Sequence, residues 1–103
     1  VAEWIYFLHA PREHFAETMS AREAEVFAEH FAYLESLLAA GVLVLAGPTL
    51  GAINTGLAVL RASDEAAARA IMAADPAVAA GVVTGELRGF RVSLLAPREP
   101  GEP

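Results

Sequence analysis

Of the side chains able to do acid–base chemistry, one histidine stands where a histidine has to be explained. At 100° per residue, His30 falls between Phe27 and Leu34, on the apolar stripe of a helical stretch and not on its wet side. An imidazole there must find a polar partner or be held neutral at a cost. It is either a core histidine satisfied by a backbone carbonyl or a pocket-lining acid/base, and the second requires a partner. Asp75 is the best placed partner. It precedes Pro76, and the residue before a proline leaves the helical region, so its side chain departs from the line of the preceding helix. Asp75 can also cap a short turn that has Pro76 at its first position. The two roles are compatible, because one carboxylate oxygen can cap while the other faces His30.

The remaining candidates point elsewhere. His9 closes an apolar stretch, at a pocket mouth or a rim, and His14 falls in a polar connection. Three histidines without HxH or HxxxH spacing do not make a metal site, so none is expected. The chain has no cysteine, which removes thiolate nucleophiles, disulfides and Cys-ligated metals. Gly47 to Gly51 is rich in glycine, but no helix follows to hold a phosphate, so it is a hairpin connection. Ser20 and Ser63 are helix caps and not nucleophiles. Arg88 and Arg91 are three apart on a strand and hence on opposite faces; one could anchor an anionic substrate, although a solvated strand arginine is the commoner case. Trp4 and Tyr6 share a strand face and are expected in core or dimer packing.

The elements that must position these residues follow from the pattern. Glu3 to Ala10 is aromatic and β-branched and stops before Pro11, a first strand. Ser20-Ala-Arg-Glu23 is a capping box opening a helix, whose Phe27, Phe31, Leu34 and Leu38 mark its buried stripe; Gly41 ends it. Strands are expected at Val42–Ala46 and Gly56–Ala62. A helix capped by Ser63 runs from Asp64 to Ala74, a short turn follows Pro76 as far as Gly81, and a last strand spans Val82–Leu95. The order βαββαβ is the ferredoxin-like arrangement: an α+β fold with two helices on one face of a four-stranded antiparallel sheet.

Composition adds to this. The chain has 103 residues, 55% of them apolar and 19% charged, with a net charge of −6. That is one domain, expected over 1–96, with a Pro/Gly-rich tail at 97–103 expected to be disordered. All seven basic residues are arginine, without a basic stripe, so nucleic acid and anionic membranes are poor partners. No apolar run approaches a membrane span, and the first residues lack the marks of a signal peptide, so a cytoplasmic setting is expected. One Asn, no Gln and no Lys fit high-GC coding and a thermophilic source. Trp4 to Leu8, Val42 to Leu45 and Leu57 to Leu60 are apolar on both strand faces. A sheet covered on one side only should alternate, so a second copy stacked on the open face is expected, giving a homodimer.

The stretch Glu29-His30-Phe31-Ala32-Tyr33-Leu34, then Gly41 with Ala46-Gly47-Pro48, then Asp75-Pro76-Ala77-Val78-Ala79-Ala80-Gly81, resembles the YciI-like (YCII-related) family. The resemblance implies a ferredoxin-like dimeric α/β-barrel, with an active-site His–Asp pair that maps onto His30 and Asp75. It also implies proton-transfer chemistry, of dehydrohalogenation type in some relatives. Phe27 stands where the family often has a basic residue, and Ala77 where it often has an aromatic one; both make this pocket less polar or differently shaped. Three functions are open at this point. One is a cofactor-free acid/base enzyme (isomerase, lyase or hydrolase) acting on a small organic molecule. The second is a non-catalytic module that binds a small molecule or a partner. The third, by analogy of fold alone, is a cofactor-independent monooxygenase.

Overall fold

The computed structural model describes residues 2–97. Strand β1 (Ala2–His9) leads through a single 3-10 turn at Phe15–Glu17 into helix α1 (Ala21–Ala39). Strands β2 (Leu43–Pro48) and β3 (Thr55–Ala62) form a hairpin. Helix α2 (Glu65–Ala74) and the short α3 (Pro76–Ala79) then precede β4 (Thr84–Phe90). The sheet order is β2-β3-β1-β4, and each neighbouring pair is antiparallel. This is the α+β ferredoxin-like fold expected from the pattern.

Alternation along β1 sorts the two sheet faces. Tyr6 and Leu8 join Ala58 and Leu60 of β3 in the core beneath the helices. Ile5 and Val59 are paired in register and point to the other face, where the single chain already leaves them only 9% and 3% exposed. Leu45 and Phe90, by contrast, remain open to solvent.

Local chemistry sets the helix ends. The Ser20 hydroxyl accepts from the Glu23 amide while the Glu23 carboxylate accepts from the Ser20 amide, the expected capping box. α1 stops in a Schellman turn. Gly41 takes φ 76°, its amide donates to the Leu38 carbonyl, and the Val42 amide donates to that of Leu37. α3 stops the same way, with Gly81 at φ 73° and the Val82 amide donating to the Ala77 carbonyl.

Beyond shifts of a residue or two at strand ends, three features differ from expectation. Asp64, not Ser63, caps α2; its carboxylate accepts from the Ala67 amide at 2.8 Å, and a negative cap also favours the helix dipole. β4 ends at Phe90 and not at Leu95. It is an edge strand with β1 as its one neighbour; Phe90 pairs with Glu3 where β1 runs out, and the Val92 amide turns to the Glu3 side chain. The buried stripe of α1 is also rotated. Val26 and His30 are buried, whereas Phe31 and Leu38 are 63% and 58% exposed. The apolar positions on α1 span more arc than one sheet can cover, and the face that turns inward is the one carrying His30. The tail expected from Pro97 lies, beyond that residue, outside the described residues.

The β1–α1 connection is held at one point by charge. Arg12 donates to both Glu23 oxygens at 2.8 and 3.0 Å and to the Thr18 carbonyl. Those hydrogen bonds, with the donation from Ser20, pull the Glu23 carboxyl down from 4.5 to about 2. A carboxyl depressed by folding adds stability above its ordinary value, and that stability is lost as pH falls toward its folded value. Thermal melts between pH 4.5 and 2 should therefore show a shallower acid limb for Glu23→Gln than for the parent chain. Equal slopes would contradict the assignment.

Candidate active site

α1 carries His30 inward, and the break at Pro76 turns Asp75 toward it. Asp75 has φ −62° and ψ 124°, out of the helix, as a pre-proline residue must be. The His30 Nδ1 lies 2.8 Å from Asp75 Oδ1 and 2.9 Å from Oδ2. Asp75 Oδ1 also accepts from the Ala77 amide at 2.9 Å, capping α3. Both roles anticipated for Asp75 are thus filled at once.

A third donor was not anticipated. The Tyr6 hydroxyl, from the middle of β1, donates to Asp75 Oδ2 at 2.7 Å. Asp75 and Tyr6 are fully buried, and His30 is 8% exposed. The sequence signal was a phenol at an inward position of an apolar strand, where its hydroxyl must find a partner. Burial first, and the Asp75 carboxylate second, push the Tyr6 hydroxyl well above its ordinary value of 10. It therefore stays a donor throughout the working range. Tyr33 is raised too, by partial burial and then by Asp75; its hydroxyl donates to the Ile71 carbonyl at 2.7 Å and ties α1 to α2.

The network decides the histidine tautomer. A carboxylate offers only acceptors, so Nδ1 carries the hydrogen, and in the neutral ring Nε2 carries the lone pair. Nε2 has no hydrogen-bond partner among the described residues, yet it is not sealed away: the one fully buried side-chain nitrogen left unpaired there is Trp4 Nε1. Instead the His30 ring lines a cavity of about 380 Å³. Its walls include Leu8, Phe15, Met19, Phe27, Leu34 and Val83. Phe27 packs tilted against the His30 ring at 5.1 Å and edge-on to Phe15 at 5.3 Å. The hairpin loop that follows β2 closes one side, with Leu50 and the exposed Phe31 both lining the cavity.

The other flagged residues are elsewhere. His9 is 2.8 Å from Glu86 on the open sheet face, and Arg88 donates to the same Glu86. His14 is exposed, in a left-handed conformation at φ 55°, 3.4 Å from Glu17. Arg91 is exposed beyond β4. Neither Arg88 nor Arg91 lines the cavity. Trp4 and Tyr6 are in the core layer, as expected. Among the described residues no three His, Asp or Glu side chains converge.

A four-stranded ferredoxin-like sheet with a buried His–Asp pair behind an apolar cavity defines a small α+β domain of a recognisable kind. The YCII-related domain family matches residues 5–86, and the chain belongs to it. Its fold is similar to that of 5-chloro-2-hydroxyhydroquinone dehydrochlorinase (TftG) from Burkholderia phenoliruptrix AC1100, solved in complex with 2,5-dihydroxybenzoquinone. The TM-score is 0.64 at 20% identity, over 85% of this chain and 93% of that one. No curated protein matches the sequence.

The Tyr6 contact yields a prediction for stability and for its alkaline pH dependence. A hydrogen bond to a buried carboxylate contributes about 1.5–3 kcal/mol, so Tyr6→Phe should lose that much stability in denaturant unfolding. A phenol raised by folding adds stability below its ordinary value, and that stability is lost as pH climbs past it. The parent chain should therefore weaken above pH 10.0 more steeply than Tyr6→Phe. A loss below about 0.5 kcal/mol would mean that Asp75 does not depend on this donor.

Proposed function

We propose that the chain is a small enzyme that moves a proton on a bound organic molecule without a cofactor. His30 is the general acid/base, and Asp75 orients and compensates it. The observation that supports this most is a His30 ring that lines the cavity with Nε2 unpaired while Nδ1 lies 2.8 Å from a buried carboxylate. A histidine kept only for packing would have both nitrogens spent or enclosed.

Neutral His30 takes a proton from an O–H or an activated C–H of the ligand at Nε2. The ring becomes an imidazolium, and its new charge lies against Asp75, whose other donors stay in place. The electron pair left on the ligand can shift a double bond, with His30 returning the proton at another atom, which is isomerisation. It can also expel a leaving group such as chloride, which is elimination. The dehydrochlorinase that shares the fold supports the lyase form.

Release of chloride from 5-chloro-2-hydroxyhydroquinone, and solvent-deuterium uptake into a panel of enolisable ketones and halophenols, test the assignment. His30→Asn should lower turnover by roughly 10²–10⁴-fold with the circular dichroism spectrum retained. Turnover that survives the substitution would overturn the role of His30. Ligand binding without turnover across the panel would return the chain to a non-catalytic binding module.

The working unit we propose is a homodimer, the second copy lying on the open sheet face. Leu45 and Phe90 are 43% and 45% exposed there, and Leu94 and Leu95, which follow β4, are 95% and 64% exposed. Such apolar exposure is unusual for a monomer of 10.8 kDa. Sedimentation equilibrium at micromolar concentration should give a dimer, and Phe90→Glu should weaken it. A parent chain that sediments as a monomer would contradict this.

A further inference from the structure

The cavity differs from most ligand sites in how little polar chemistry it leaves free. Among the described residues, none of its lining side chains is Lys, Arg, Asp or Glu, and His30 is the one titratable group lining it. Two other polar side chains line it, and both are committed. Asn54 accepts from the Ala16 amide and donates to the Thr49 and Gly51 carbonyls. Thr49 Oγ1 donates to the Ile53 carbonyl and accepts from the Thr55 amide. The guanidinium against the outer wall, Arg12 over the Phe15 ring at 5.2 Å, is held by both Glu23 oxygens. Among the described residues this leaves His30 Nε2 as the one lining side-chain nitrogen or oxygen without a hydrogen-bond partner, in a wall mostly of aliphatic and aromatic carbon.

Taking His30 as the acid/base described above, we infer that the site takes an uncharged, largely apolar molecule bearing one proton donor, and that it excludes carboxylates and phosphates. An anionic group entering here would lose its hydration and find no Lys or Arg side chain in the described wall to replace it, only a His30 that had itself taken a proton. The net charge of −6 adds long-range repulsion. A hydroxyl on an apolar body meets both demands: carbon fills the cavity, and the O–H donates to Nε2. The cavity, at about 380 Å³, is at the small end of ligand sites and suits a molecule of one or two fused rings. The apolar side chains of Phe31 and Leu50 extend the same character to solvent, being 63% and 88% exposed.

Three probes of one shape separate the possibilities: 2-naphthol, 2-naphthoate and 2-methylnaphthalene. Each is titrated at pH 7.5 into the intact chain, with affinity and the His30 ring resonances as readouts. 2-Naphthol should bind at least tenfold tighter than 2-naphthoate and move the His30 signals. 2-Methylnaphthalene should bind more weakly than 2-naphthol by about tenfold, the value of one hydrogen bond. His30→Phe should erase the preference for the naphthol; the comparison of the three probes on the parent chain does not depend on that variant folding. If 2-naphthoate binds as tightly as 2-naphthol and moves the His30 signals, the substrate class is wrong while the catalytic site stands. If 2-naphthol binds without moving them, or does not bind by roughly millimolar concentration, the inference fails; the role of His30 is then judged separately, by the turnover of His30→Asn.

Discussion

A carboxylate with no exposure to water needs donors from the protein for its oxygens, because burying them unpaired is costly. Asp75 meets that condition with three donors from three parts of the chain: the Tyr6 hydroxyl of β1, the His30 ring of α1 and the Ala77 amide of α3. Remove any one and a buried acceptor loses part of what replaces water. The sheet, the long helix and the short helix are thereby joined at one point by charge-assisted hydrogen bonds, which are stronger than neutral ones. The α1 face that turns to the sheet is the face that lets His30 reach this point, even though this leaves Phe31 and Leu38 in solvent.

The same arrangement separates two jobs that a lone histidine could not combine. Nδ1 is spent inward, on orientation and on a counter-charge. Nε2 makes no hydrogen bond among the described residues, and the ring that carries it lines the cavity. An exposed surface histidine such as His14 has neither a buried carboxylate to fix its tautomer nor dry surroundings. His9 has a carboxylate partner in Glu86, but on an exposed sheet face where water screens the pair.

Much of this was legible because local rules and global fold agree. The capping box at Ser20, the glycine stop at Gly41 and the Asp-Pro break each depend on a few adjacent residues, and each is where those residues imply. His30 was conspicuous because its polarity conflicts with its position. Less local facts were out of reach. Tyr6 looked like core because a strand pattern gives its face but not what its hydroxyl meets across the fold. Asp64 and Ser63 are both good caps, and only the geometry of the turn selects between them. The end of β4 depends on where its partner β1 runs out, which the apolar run to Leu95 does not reveal. The cavity arises from the β1–α1 connection and the β2–β3 loop meeting, with the His14 amide bonded to the Ala52 carbonyl; nothing in either segment announces the other.

The central claim is that Asp75 fixes His30 as the Nδ1–H tautomer and leaves Nε2 as a bare acceptor. Nitrogen-15 NMR of the His30 ring in the neutral form measures this directly, since a protonated ring nitrogen and one carrying a lone pair resonate far apart. The expected result is a protonated, pyrrole-like signal at Nδ1 and an unprotonated, pyridine-like signal at Nε2, with the distinction blurred in Asp75→Asn. A neutral ring with its proton on Nε2, or an averaged pair of signals in the parent chain, would contradict the account.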